Sequence, residues 1–212
     1  MTLKVYEIFH SLQGESSRIG LPTVFVRLTG CPMRCVYCDT EYAFSGGGNM
    51  ALGQIMAKVA EFGARYVTVT GGEPLAQKKC LDLLSMLCDA GYEVSLETGG
   101  AIDTSGVDER VAVILDIKTP GSGEVKNNRW ENLQRLKSKD EVKFVLCDRT
   151  DYDWAKQVLM ERSITDQCSV LFSPVYNQVN PTDLAEWILQ DKLPVRMQVQ
   201  LHKILWGEKP GV

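Results

Sequence analysis

Short apolar runs of strand length alternate with helix-length segments along most of this chain, and that alternation limits the folds open to it. Strand-like runs fall at 23–28 (TVFVRL), 65–70 (RYVTVT), 93–98 (EVSLET), 111–118 (VAVILDIK), 141–146 (EVKFVL), 168–173 (CSVLFS) and 196–203 (RMQVQLHK). LGQIMAKVAEFG (52–63) and QKKCLDLLSMLCDAG (77–91) read as helices that close on glycine. RWENLQRLK (129–137), DYDWAKQVLMERS (151–163) and PTDLAEWILQ (181–190) predict further helices. Strands that alternate with helices favour a parallel sheet with covering helices, an α/β fold. At 212 residues the chain predicts one domain, 1–212, with a sizeable core.

In a barrel or partial barrel, functional residues gather where strands end. Thr70, Gly71, Gly72 and Glu73 follow one strand, Glu97 and Thr98 end another, and Asp116 and Lys118 end a third. Side chains two apart on a strand share a face, so Asp116 and Lys118 can both point inward. On the last predicted strand Gln198, Gln200 and His202 share one face, and Met197, Val199 and Leu201 the other. That polar row fits either a polar cavity or the solvent face of an edge strand. SGGGN (45–49) predicts a mobile connector, since no lysine or helix signature makes it a phosphate loop.

Charge and composition exclude several classes. Net charge is -4, from 23 basic and 27 acidic residues, which argues against a nucleic-acid footprint and gives no reason to bind an anionic membrane. MTLKVYEIFHSLQGES lacks the apolar centre of a signal peptide. No apolar run reaches the roughly 18 residues of a membrane span. The expected location is therefore the cytoplasm, where thiols stay reduced. The seven cysteines are then ligands or core residues.

Three of them crowd together in TGCPMRCVYCDT (29–40): Cys31, Cys35 and Cys38. Thiolates bind soft or borderline metals, so zinc and an iron–sulfur cluster are both candidates. Structural zinc takes four ligands, commonly as two C-x-x-C pairs. Only His10 and His202 or the distant Cys80, Cys88, Cys147 and Cys168 could complete such a site. Cys80 and Cys88 sit with leucines on their predicted helix, which suits core packing. Cys147 and Cys168 lie at strand ends as inert thiols. The triplet therefore leaves one coordination position open, where a cofactor or substrate could bind.

Cys31-Pro-Met-Arg-Cys35-Val-Tyr-Cys38, with TGGEP (70–74) directly after a strand, resembles the signature of the radical S-adenosylmethionine (SAM) enzymes. EIFHSLQGES (7–16), Cys38-Asp39-Thr40, LETGG (96–100), LDIKTPGSG (115–123), EVKFV (141–145) and QLHKILWGEKPGV (200–212) narrow it. Together they are similar to the 7-carboxy-7-deazaguanine synthases of queuosine biosynthesis, over nearly the whole chain. The resemblance implies an incomplete, modified TIM-type (β/α) barrel of the radical SAM kind, with few outer helices. It implies a 4Fe-4S cluster on Cys31, Cys35 and Cys38, SAM on the free iron, and Mg2+ at Thr40. SAM contacts map onto Tyr37, Cys38, Asp39, Gly71, Gly72, Glu73, Lys118 and Ser173. Asp116 is added as a partner of the SAM ribose on its strand position alone. Substrate contacts map onto Leu12, Gln13, Gly14, Arg27 and Thr70, with Glu15 and His202 shaping the pocket.

The implied reaction converts 6-carboxy-5,6,7,8-tetrahydropterin to 7-carboxy-7-deazaguanine with loss of ammonia. A deoxyadenosyl radical takes a hydrogen from the substrate, the ring contracts, and SAM is re-formed. A homodimer and a flavodoxin or ferredoxin as electron donor are implied as well. Two motifs depart from the pattern. Asp116-Ile117-Lys118 stands where some members carry serine-proline-lysine, and Ser173-Pro174 where others have glutamine-proline. Two other readings share the cysteine triplet. One is an activase that installs a glycyl radical on a partner protein. The other is a non-catalytic iron–sulfur or zinc module. LQGE with Arg27, and Thr40 after Cys38-Asp39, separate the pterin enzyme from the first; TGGEP separates it from the second.

Overall fold

The computed structural model describes residues 2–209 and 211–212. Nine strands form one sheet: β1 (Thr2–Leu12), β2 (Pro22–Leu28), β3 (Gly48–Ala51), β4 (Tyr66–Gly71), β5 (Glu93–Thr98), β6 (Ala112–Ile117), β7 (Glu141–Leu146), β8 (Ser169–Pro174) and β9 (Arg196–Met197). Their spatial order is β3-β1-β2-β4-β5-β6-β7-β8-β9. From β2 to β9 every neighbouring pair is parallel. β1 runs antiparallel to both β2 and β3. β3 and β9 remain edges, so the barrel is incomplete, as expected.

The two-residue period of each strand divides its side chains between two environments. Val24, Val26, Val67, Val69, Val94 and Leu96 turn to one side and bury against α1 (Leu52–Ala60) and α2 (Cys80–Asp89). Val113, Leu115, Val142, Phe144, Val170 and Phe172 do the same against α3 (Arg149–Arg162) and α4 (Pro181–Asp191). The alternate residues face the other way, toward a polar interior. Among the described residues four helices, α1 to α4, cover the sheet. The β5–β6 connection has no helix, and the β6–β7 connection has only short 3-10 turns.

Four segments differ from expectation. β1 carries an alternation, with Leu3 and Val5 buried between exposed neighbours, that extends the sheet by a strand beyond the expected ones. In 45–49, Gly48 and Asn49 pair with Val5 and Lys4, so its second half is strand, not connector. Gly47 has φ of 68°, and a Cβ there would stand 2.4 Å from the Val5 carbonyl oxygen, which is why glycine occupies it. The predicted helix 129–137 is a 3-10 turn over Trp130–Arg135. Asn132 inside it donates to the carbonyls of Gly100 and Ile102 and accepts from Thr104 N–H. Its side chain thereby ties down the adjoining loop. The predicted strand 196–203 stops at Met197, and a short helix α5 (Leu201–Trp206) follows. Gln198, Gln200 and His202 are therefore not one face of a strand. Among the described residues no helix is long and apolar enough to cross a membrane.

Candidate active site

The polar interior opens as a cavity of about 570 Å³ at the C-terminal ends of the parallel strands. Five of the parallel strands bring polar groups to it: Arg27 from β2, Thr70 from β4, Glu97 from β5, Asp116 from β6 and Lys143 from β7, with Lys118 just past β6. Register places Arg27 beside Thr70 and Asp116 beside Lys143. Of the site residues expected from sequence, all but Glu73 and Ser173 line this one cavity. Ser173 is buried on β8 beside Val145. Glu73 is fully buried, and its carboxylate accepts from Thr98 Oγ1 and from the N–H groups of Leu75 and Gly99. It holds the glycine loop together from behind, and burial pushes its carboxyl upward.

The glycine loop and the cysteine loop touch. Gly72 N–H donates to the Leu28 carbonyl at 3.2 Å, and Glu73 N–H to the Gly30 carbonyl at 2.8 Å. A Cβ on Gly72 would come 2.3 Å from the Gly30 oxygen and 2.7 Å from Cys31 Cβ. Only glycine lets the backbone approach this closely. From the other side, Arg34 N–H donates to Glu124 Oε1 and Val36 N–H to the Ser122 carbonyl, so the β6–β7 turns brace the cysteines.

Cys31, Cys35 and Cys38 are free thiols on the cavity wall. Burial raises the Cys31 thiol and lifts Cys35 to about 11, so a cation is needed to hold them as thiolates at neutral pH. Among the described residues no three thiol, imidazole or carboxylate groups converge closely enough to hold a single metal ion. A cubic cluster carries its irons at separate corners and takes one thiolate at each. Tyr37 and Asp116, also on the wall, each keep one buried oxygen without a partner, which suits a polar ligand beside the cysteines. The donor set and these orphaned oxygens fit a cluster with a polar cofactor next to it. Thr40 Oγ1 lies 3.7 Å from Cys38 Sγ. Cys80 and Cys168 are buried, and burial with the neighbouring Asp151 pushes Cys147 to about 12, as inert thiols should be.

A buried charge network floors the cavity. Asp116 Oδ2 lies 3.1 Å from Lys118 Nζ and 3.4 Å from Lys143 Nζ. Lys143 also pairs with Glu15, whose other oxygen accepts from Gln200 Nε2 at 2.7 Å. Glu97 accepts from Gln13 Nε2 at 3.1 Å and Thr70 Oγ1 at 2.9 Å, and burial raises its carboxyl. Gln13, expected among the substrate contacts, has its amide engaged within the protein, by Glu97, by Thr68 Oγ1 and by Glu15 N–H. Lys143 escaped the sequence reading; the signal available was one lysine centred in an apolar strand.

Glu15 makes the network pH-dependent. Burial opposes its ionisation, yet the Lys143 ammonium holds its carboxyl down to about 2, from an ordinary 4.5. A depressed carboxyl stabilises the fold above its unfolded value and loses that contribution as pH falls through the folded one. The loss therefore spans about 4.5 down to about 2 and is worth on the order of 3 kcal/mol. Glu97, with a raised carboxyl, acts in the opposite sense. Denaturant titrations across this range should give Glu15→Gln a flatter stability–pH curve than the wild type; parallel curves would contradict the pairing.

A family model for the radical SAM superfamily matches residues 25–120. The 7-carboxy-7-deazaguanine synthase of Chlorobaculum tepidum is 48% identical over 208 residues, covering 97% of this chain and 94% of that one. The synthase of Koribacter versatilis is 41% identical, over 99% of this chain and 100% of its own. QueE from Escherichia coli superposes with a TM-score of 0.79 over 95% of both chains at 23% identity, a likeness of fold. SuiB of Streptococcus suis, with SAM bound, gives 0.57 over 81% of this chain and 45% of its own. A partial barrel with three cysteines against a glycine loop at its strand ends is that of a radical SAM enzyme, which works with a 4Fe-4S cluster and SAM. Among these enzymes, the chain belongs to the 7-carboxy-7-deazaguanine synthase family.

Proposed function

We propose that the chain converts 6-carboxy-5,6,7,8-tetrahydropterin to 7-carboxy-7-deazaguanine and ammonia, as a carbon–nitrogen lyase of queuosine biosynthesis in the cytoplasm. The carrying observation is that Arg27, Thr70, Glu97 and His202 line the same cavity as the cysteine and glycine loops. Cluster and SAM, when bound, supply a carbon-centred radical able to take hydrogen from the substrate. Everything else falls to the chain's own side chains.

Arg27 receives the substrate carboxylate. Its Nε is held by Glu7 at 2.7 Å, and its guanidinium lies over the Phe9 and Tyr42 rings. The two terminal nitrogens are left for a forked contact with a carboxylate. Glu97 accepts from the amino edge of the pterin, since each of its oxygens keeps a lone pair beyond its present donor. Burial lowers the His202 imidazole, so it meets the substrate neutral, as one donor and one acceptor. Tyr37, Asp39, Gly71, Gly72, Asp116 and Lys118 hold SAM, with the unpartnered Asp116 oxygen taking a ribose hydroxyl. Thr40 supplies an oxygen to Mg2+, a hard cation that prefers such ligands. The same reading includes a homodimer and reduction by a flavodoxin or ferredoxin.

The test is an anaerobic assay of iron-reconstituted protein with SAM, Mg2+, a reductant and the pterin, read by mass spectrometry. Formation of 7-carboxy-7-deazaguanine supports the reading. Thr40→Ala should keep its cluster yet lose most of the stimulation by Mg2+; an undiminished response removes Thr40 from the metal. SAM cleavage with the pterin untouched would move the assignment to an activase acting on a partner protein.

A further inference from the structure

The polar run Gln198-Val199-Gln200-Leu201-His202 is not a strand face, yet four of its members reach the loop between β1 and β2. Gln198 is buried, and its carboxamide meets both backbone groups of Ser16. Ser16 N–H donates to Gln198 Oε1 at 2.7 Å, and Gln198 Nε2 donates to the Ser16 carbonyl at 2.9 Å. A carboxamide offers the same donor and acceptor as a peptide group, so this side chain replaces a missing strand neighbour. Ser16 has φ of 67°, a left-handed conformation that a non-glycine residue holds only when its surroundings fix it.

The contacts continue in antiparallel order. Gln200 Nε2 donates to Glu15 Oε1 at 2.7 Å, and Leu201 N–H donates to the Gly14 carbonyl at 3.0 Å. His202 fills the space beside Gly14, where a Cβ would stand 2.1 Å from its Nδ1. Residues 16, 15 and 14 thus meet 198, 200 and 201–202 in turn. Gln198 itself is not on the cavity wall, whereas Leu12, Gln13, Gly14 and Glu15 are.

We propose that Gln198 is a positioning residue for the substrate: by clamping Ser16 it sets the place of the 12–15 wall, and so governs pterin affinity without touching the pterin. This rests on the pterin reading of the cavity. Without the clamp the buried Ser16 N–H loses its partner and the Ser16 carbonyl keeps only the Ile19 N–H, at 3.3 Å, which is costly unless the loop shifts to reach water. The SAM side of the cavity is built by the cysteine and glycine loops; among the described residues Gln198 hydrogen-bonds to Ser16 and the Phe172 carbonyl, and to neither of those loops.

Gln198→Leu in the reconstituted enzyme should raise KM for the pterin about tenfold or more while kcat stays within about twofold, the pattern of lost binding common to ground and transition states. The dissociation constant for SAM should hold within about twofold, and hydrogen exchange should quicken over 13–18. Gln198→Asn, which keeps both groups of the carboxamide on a stem one methylene shorter, should fall between and serves where the leucine variant folds poorly. An unchanged KM with unchanged exchange overturns the proposal, as does an equal loss of kcat and SAM affinity, which would mean general damage. If the wild type leaves the pterin untouched, the pterin reading has failed, and exchange decides the clamp alone: faster exchange over 13–18 in the variants supports it, and unaltered exchange ends it.

Discussion

Cys35→Ala, reconstituted anaerobically with iron and sulfide, is expected to retain no stable 4Fe-4S cluster and to turn over below about a thousandth of the wild-type rate. The three cysteines share one short loop, and Cys35 sits at its centre, braced on either side by Arg34 N–H on Glu124 and Val36 N–H on Ser122. Both braces start from backbone N–H groups of the neighbouring residues, which an alanine at 35 leaves in place. The fold should therefore survive, with circular dichroism and the thermal midpoint of the iron-free protein near those of the wild type. Iron content and visible absorption report the outcome. A variant that keeps a full cluster would mean that the triplet is not the ligand set.

Lys143→Met should instead damage the fold. Lys143 is the cation shared by Glu15 and Asp116, with all three side chains largely buried. Methionine matches its length but leaves those carboxylates short of a partner, and Lys118 reaches only Asp116. Breaking a buried pair by removing one side costs about 3–5 kcal/mol, so the thermal midpoint should fall by roughly 10 °C for a chain of this size. Differential scanning calorimetry on the iron-free protein checks it. A midpoint within about 2 °C of the wild type would mean that the network contributes little.

The sheet was legible because its signal is local. An apolar outer face in contact with helices forces a two-residue period, and that period also aims Arg27, Thr70, Glu97 and Asp116 at one cavity. The cysteine and glycine loops were legible for a related reason: their spacing within a few residues carries the chemistry. The Gln198–Ser16 clamp was not, because it joins residues 182 apart in sequence, and the alternation of QVQLH imitates a strand. Lys143 was hidden likewise, since only the register of β7 against β6 brings it beside Asp116. Glu73 reads as a ligand from its motif, yet its oxygens are consumed by Thr98, Leu75 and Gly99, contacts that no local pattern encodes.

The most direct measurement is the stoichiometry of one anaerobic reaction containing the pterin, SAM, Mg2+ and a reductant. 7-Carboxy-7-deazaguanine, ammonia and 5'-deoxyadenosine would be counted together. The account predicts equal amounts of the first two, in molar excess over 5'-deoxyadenosine, because SAM serves as a cofactor. Accumulation of 5'-deoxyadenosine with the pterin unconsumed would contradict it.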